Sequence, residues 1–108
     1  MYTLYSIPGT CSTGITILLT KLGVDFKVIK RDDVPNYSDF VPTNQVPALK
    51  HDDQIITEGA AIVLYLLEKH QNDILPKDIS DKGEFLQYLM LFYMYYHTDF
   101  FFLHQVYL

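Results

Sequence analysis

Residues 44–69 read NQVPALKHDDQIITEGAAIVLYLLEK, and the fold turns on this stretch. Pro47 stands at the head of an apolar run. A proline has no N–H to give a strand ladder, so it belongs at the first position of a strand, where it fixes a turn and tolerates a cis bond. Residues 47–50 and 54–56 then read as two short strands. His51-Asp52-Asp53 between them has turn composition, so the pair folds back as an antiparallel hairpin. Thr57-Glu58-Gly59 opens a helix that runs to about Lys69. Residues 60–67 in it are apolar on every side, which predicts cover on two faces.

Upstream, residues 2–6 (YTLYS) are aromatic and β-branched, and Pro8-Gly9 closes them, the pattern of a buried strand ending in a turn. Thr10 or Ser12 caps a helix whose apolar positions Ile15, Leu18, Leu19 and Leu22 fall at helical spacing, and Gly23 stops it. Residues 26–29 (FKVI) alternate as a second strand. Strand, helix, strand in this order is a βαβ unit, which requires parallel pairing. Residues 32–43 are polar with two prolines and have room for one or two helical turns at most. Downstream, residues 71–80 with Pro76 form a linker. Asp81 and Glu84 make a capping pair for a last helix rich in aromatics, Phe85, Tyr88, Phe92, Tyr93, Tyr95, Tyr96 and Phe100 to Phe102 among them. The whole order predicts an α/β fold, a four-stranded mixed sheet with helices on both faces in the thioredoxin-like arrangement.

With 108 residues and 12.6 kDa, the chain is long enough for one small domain and too short for two complete ones. It is 49% hydrophobic and 19% charged, so it can build a core. Thirteen acidic against eight basic side chains give a net charge of −5 with no basic cluster, which argues against nucleic acid as a partner. A single cysteine excludes an intrachain disulfide and points to a reducing, cytoplasmic setting. The N-terminus lacks the positive flank and long apolar stretch of a signal peptide. The longest apolar run, residues 88–96, has nine residues, against the ~18–20 that a membrane-spanning helix needs.

Three positions carry possible chemistry. Cys11 is either an inert buried thiol or, at the mouth of the first helix, a thiolate favoured by backbone N–H groups and the helix dipole. Its neighbours read Cys-Ser-Thr-Gly, so the second thiol of a CxxC pair is absent. Val46, just before Pro47, is either ordinary loop or offers an unpaired N–H and C=O to an extended peptide. Glu58 either complements the dipole of its helix or, with Gly59, builds a zwitterion site. There the carboxylate would hold an ammonium, while the free N–H groups near Gly59 hold a carboxylate. His51, His70, His97 and His104 share no metal-ligand spacing, and no metal is expected. His97 and the aromatic stripe around it read first as core or interface.

Taken in order, MYTLYSIPGTCS, NQVPAL and ITEGAAIVLYL resemble the N-terminal domain of the glutathione transferases, most closely the bacterial beta class. The resemblance implies a thioredoxin-like glutathione-binding domain over residues 1–70, a linker over 71–81, and over 82–108 the first helix of an incomplete all-α domain. It implies glutathione as co-substrate and a hydrophobic electrophile or mixed disulfide as the second substrate. Cys11 falls on the cysteine that lies at the glutathione sulfur, with Ser12 beside it. Val46, before a cis Pro47, matches the residue whose backbone pairs with the cysteinyl part, and Glu58 and Gly59 match the pair that grips the γ-glutamyl end. His97, nine residues after the Tyr88-Leu89 pair, matches a histidine near that sulfur. Lys30 or Arg31 stands in for the lysine that meets the glycyl carboxylate. Unpartnered aromatic faces on the last helix imply a homodimer. The competing reading is a non-catalytic interaction module on the same fold.

Overall fold

The computed structural model describes residues 1–7 and 12–107, with side chains as far as residue 94 in the last helix. The chain falls into two compact units, Met1–Gln71 and Asn72–Leu108. The first holds strands β1 (Tyr2–Ser6), β2 (Phe26–Lys30), β3 (Ala48–His51) and β4 (Gln54–Thr57), and helices α1 (Thr13–Leu22), α2 (Tyr37–Phe40) and α3 (Gly59–Lys69). A 3-10 turn spans Arg31–Asp33. The sheet has the order β2-β1-β3-β4. β1 runs parallel to β2, with Tyr2 opposite Phe26 and Ser6 opposite Lys30. β3 is antiparallel to β1 and to β4, pairing Tyr5 with Ala48 and Ala48 with Thr57. The expected βαβ unit followed by a ββα hairpin unit on one mixed sheet is therefore the observed fold.

Alternation along β1 divides the core in two. Tyr2 and Leu4 join Ile15, Leu19, Leu49, Ile62 and Leu66, the cluster supplied by α1 and α3. Tyr5 joins Tyr37, Val41 and Ala48 in a second cluster that includes α2. Successive strand side chains point to opposite faces, so a sheet with helices on both sides buries all of β1. In α1, Ile15 and Leu19 are fully buried, and Leu18 and Leu22 pack against them, as the spacing predicts. Gly23 ends the helix in the left-handed conformation at φ 71°, its N–H donating to the Thr20 carbonyl at 3.1 Å. In α3, Ala61 and Glu68 stay exposed, so the apolar helix keeps a narrow solvent-facing strip within its expected cover.

Two cap assignments need correction. Ser12 occupies the N-cap position of α1, yet its side chain makes no capping hydrogen bond, because its φ of −69° and ψ of −14° are already helical. A capping side chain reaches the N–H groups of the first turn from an extended backbone. The alternative cap, Thr10, lies outside the described residues, as does the Pro8-Gly9 turn. The last helix, α4 (Ile79–Tyr107), starts three residues before the position expected from Asp81 and Glu84. Asp78 caps it: its Oδ2 accepts from the N–H groups of Ser80 at 3.1 Å and Asp81 at 3.3 Å. Asp81 falls inside the first turn, where its charge complements the dipole.

At the N-terminal end of β1 a polar and aromatic cluster ties the sheet to the end of α3. Tyr2 Oη lies 2.7 Å from Nε2 of His70, and the Tyr2 ring stacks on His51 at 4.1 Å. Lys69 Nζ donates to Tyr65 Oη at 3.0 Å and lies 3.2 Å from His51 Nδ1. Two of the four histidines are thus held by aromatic neighbours. Among the described residues no group of three or more His, Cys, Asp or Glu could hold a metal ion.

Candidate functional site

Register alone gathers the candidate residues. Tyr5 pairs with Ala48 and Ala48 with Thr57, so the C-terminal end of β1, the start of β3 and the end of β4 share one end of the sheet. Ser12 at the head of α1, Val46 and Pro47 before β3, and Glu58 and Gly59 at the head of α3 all lead into or out of that end. Lys30 closes β2 beside Ser6 there. The far end, with Tyr2, His51 and His70, plays no part in this grouping. Cys11 lies outside the described residues, one position before Ser12, and so does the side chain of His97 in α4.

The Val46–Pro47 peptide is cis. Pro47 is fully buried, and the strand ladder begins only at Ala48. Among the described residues nothing pairs with the backbone N–H or C=O of Val46, so both groups of a half-buried residue stand unspent. The loop ahead of it is held firmly. Tyr37, only 3% exposed, donates from Oη to the Gln45 carbonyl at 2.6 Å. Arg31 donates from Nη1 to the Asn44 carbonyl at 2.9 Å, while its Nε and Nη2 face Asp32 Oδ1 at 3.4 Å. Asn44 takes the left-handed conformation at φ 57°, a region its short polar side chain tolerates. Burial raises the Tyr37 phenol above its ordinary pKa of 10.0, partly offset by the Arg31 guanidinium, so the hydroxyl remains a donor.

Glu58 adopts φ 74° and ψ 120°, outside the small left-handed region open to residues with a side chain. Holding a glutamate there costs on the order of 1–3 kcal/mol, and such outliers concentrate at ligand clamps. Its carboxylate is exposed, makes no capping bond to α3, and has no ion-pair partner among the described residues. Its carbonyl accepts the Ile62 N–H at 2.9 Å, so α3 starts on this residue. The N–H groups of the first turn above buried Gly59 have no intrahelical acceptor. A free carboxylate beside a free helix N-terminus can take an ammonium and a carboxylate from one ligand.

Tyr37 escaped the sequence reading, which gave the polar residues 32–43 one or two helical turns at most and no part in the site. The signal was present in Tyr37, Phe40 and Val41, apolar at i, i+3 and i+4 between two prolines. Of the two cations, Lys30 and Arg31, that the resemblance offers for a glycyl carboxylate, Arg31 has its guanidinium taken up by the Asn44 carbonyl and Asp32.

Residues 1–68 match the family model described as glutathione S-transferase, N-terminal domain. A glutathione S-transferase of Triticum aestivum is 37% identical over 82 residues, which cover 73% of this chain and 38% of the wheat protein. A glutathione transferase homologue from Sulfitobacter, solved with bound glutathione, superposes with a TM-score of 0.75 at 27% identity, covering 87% of this chain and 48% of that one. A glutathione transferase from Pseudomonas putida, solved with glutathione disulfide bound, gives 0.72 at 26% identity, over 82% of this chain and 44% of that one. The chain thus spans less than half the length of each of these relatives.

Proposed function

The chain belongs to the glutathione S-transferase family, and from that premise we propose that it binds glutathione at the Val46–Glu58 end of its sheet and activates a thiol there. The observation that carries this reading is Glu58, an unpaired carboxylate held at φ 74° on the head of a helix. In the proposal it binds the ammonium of the γ-glutamyl group, and the N–H groups above Gly59 bind the carboxylate of the same group. The unspent Val46 N–H and C=O pair with the cysteinyl backbone in extended form. Lys30 is the cation left for the glycyl carboxylate, since Arg31 is engaged in the loop.

Cys11 and His97 enter on the sequence resemblance, as does Ser12 beside the thiol. At the head of α1, backbone donors and the helix dipole lower the pKa of a sulfur held there. The glutathione thiolate attacks an electrophilic carbon of a hydrophobic substrate and the leaving group departs with the electron pair. In the second chemistry the Cys11 thiolate attacks a glutathione mixed disulfide; a Cys11–glutathione disulfide forms and the other sulfur leaves as a thiolate.

Calorimetric titration with reduced glutathione tests the reading, beside Glu58→Gln and Cys11→Ser. Saturable binding is expected, weakened at least a few-fold in Glu58→Gln by loss of a charge-assisted contact worth roughly 1.5–3 kcal/mol. Unchanged affinity in that variant removes Glu58 from the site, and absence of binding at millimolar ligand removes the site.

A second reading, self-association as a homodimer through α4, is favoured by Tyr88, Met90, Phe92 and Met94, each between 46% and 63% exposed. Tyr88 with Phe92 and Met90 with Met94 stand four residues apart on two sides of the helix, and exposed apolar pairs of this kind are ones a partner helix can cover. Sedimentation velocity is expected to show a dimer at micromolar concentration; a monomer across the concentration range sinks this reading.

A further inference from the structure

The Gln45 carbonyl and the Val46 N–H belong to one peptide unit. That unit is planar, and since Val46–Pro47 is the cis bond here, it is trans, so the two groups point in opposite directions. Whatever fixes the carbonyl therefore fixes the N–H. Tyr37 does this with a short bond of 2.6 Å from a phenol that is itself immobilised. Its ring packs edge-on against Tyr5 at 5.5 Å and Phe40 at 5.3 Å. One residue earlier, Arg31 ties down the Asn44 carbonyl at 2.9 Å, and the Asn44 N–H donates back to the Val41 carbonyl at 2.8 Å. Two consecutive carbonyls are thus held by side chains from outside the loop, immediately before the residue whose own backbone groups are unspent.

We propose that Tyr37 is a positioning residue of the glutathione site. By holding the Gln45 carbonyl it sets the plane of the Gln45–Val46 peptide and aims the Val46 N–H at the cysteinyl carbonyl of the ligand, with Arg31 bracing the peptide before it. The inference rests on the glutathione reading above. It differs from a role in folding alone, because loss of the hydroxyl leaves the aromatic packing in place and frees one peptide plane to rotate.

The test compares two ligands on the 108-residue chain. One is reduced glutathione. The other is its analogue with an ester in place of the cysteinyl–glycyl amide, whose carbonyl is a weaker acceptor. The wild-type chain is expected to bind the ester several-fold more weakly. Tyr37→Phe is expected to bind glutathione about fivefold more weakly than wild type, the loss appropriate to one hydrogen bond, and to discriminate little between the two ligands. Arg31→Ala is expected to shrink the discrimination in the same direction; it also carries the test if Tyr37→Phe does not fold. Glu58→Gln weakens both ligands alike and keeps the wild-type ratio. A wild-type chain that binds neither ligand overturns the glutathione reading and this inference with it. A chain that binds glutathione while the position-37 and position-31 variants keep the wild-type ratio overturns the inference alone.

Discussion

Glu58 shows how a single residue can be read against its own conformational preference. At φ 74° a side chain costs energy that glycine does not incur. Glu58→Gly is therefore expected to be more stable than Glu58→Ala by about 1 kcal/mol, seen as a higher denaturant midpoint, although both lose the carboxylate. Equal midpoints in urea unfolding would show that the backbone there is relaxed. The sequence placed Glu58 at a helix mouth with a free charge, because residue order is enough for that. It gave no sign of the backbone angle, which belongs to the folded link between β4 and α3.

Two helix ends in this chain are each set by one residue, a glycine at the end of α1 and an aspartate at the start of α4. Gly23 closes α1 and was legible as a stop, because only a residue tolerant of positive φ fits there. The start of α4 was misread by three residues. Asp81 with Glu84 and Asp78 with Asp81 both have capping spacing, and the pattern could not rank them. Asp78→Ala is expected to lower stability by about 1 kcal/mol, the usual cost of removing an N-cap acceptor, and to fray the residues up to Lys82. Amide exchange at Ser80 and Asp81 reads this directly, since their N–H groups are the ones released. Unchanged protection at those two amides would move the cap to Asp81, as the sequence pattern first suggested.

At the scale of the whole first unit, two buried phenols couple stability to alkaline pH. Desolvation raises both Tyr2 and Tyr37 above the ordinary 10.0; the Lys69 ammonium opposes this for Tyr2 and the Arg31 guanidinium for Tyr37. The neutral phenol is thus favoured in the folded state. Their stabilising contribution is complete below pH 10.0 and is lost as pH rises through the raised folded values, because the unfolded tyrosines ionise first. Denaturant unfolding between pH 8 and 11 is expected to show a falling midpoint above about pH 10 that is shallower in Tyr2→Phe. An identical slope in that variant would assign the alkaline loss to other groups. Tyr2 and Tyr37 lie in different clusters on opposite faces of the sheet, so their effects should add.

The sequence by itself determined the element order, the mixed sheet and the family, because hydrophobic period, turn residues and the QVPAL and TEGAA segments are local properties written in residue order. It also named Val46, Pro47, Glu58 and Gly59, each marked by a proline or by a helix mouth. Only the tertiary structure decided that these residues share one end of the sheet, since strand register is a long-range pairing. The same holds for Tyr37 and Arg31, which reach eight and thirteen residues along the chain to hold the loop before Val46. A hydrogen bond across such a separation leaves no periodic trace, and it exists only once the packing of Tyr5, Tyr37 and Phe40 has brought the loop to it.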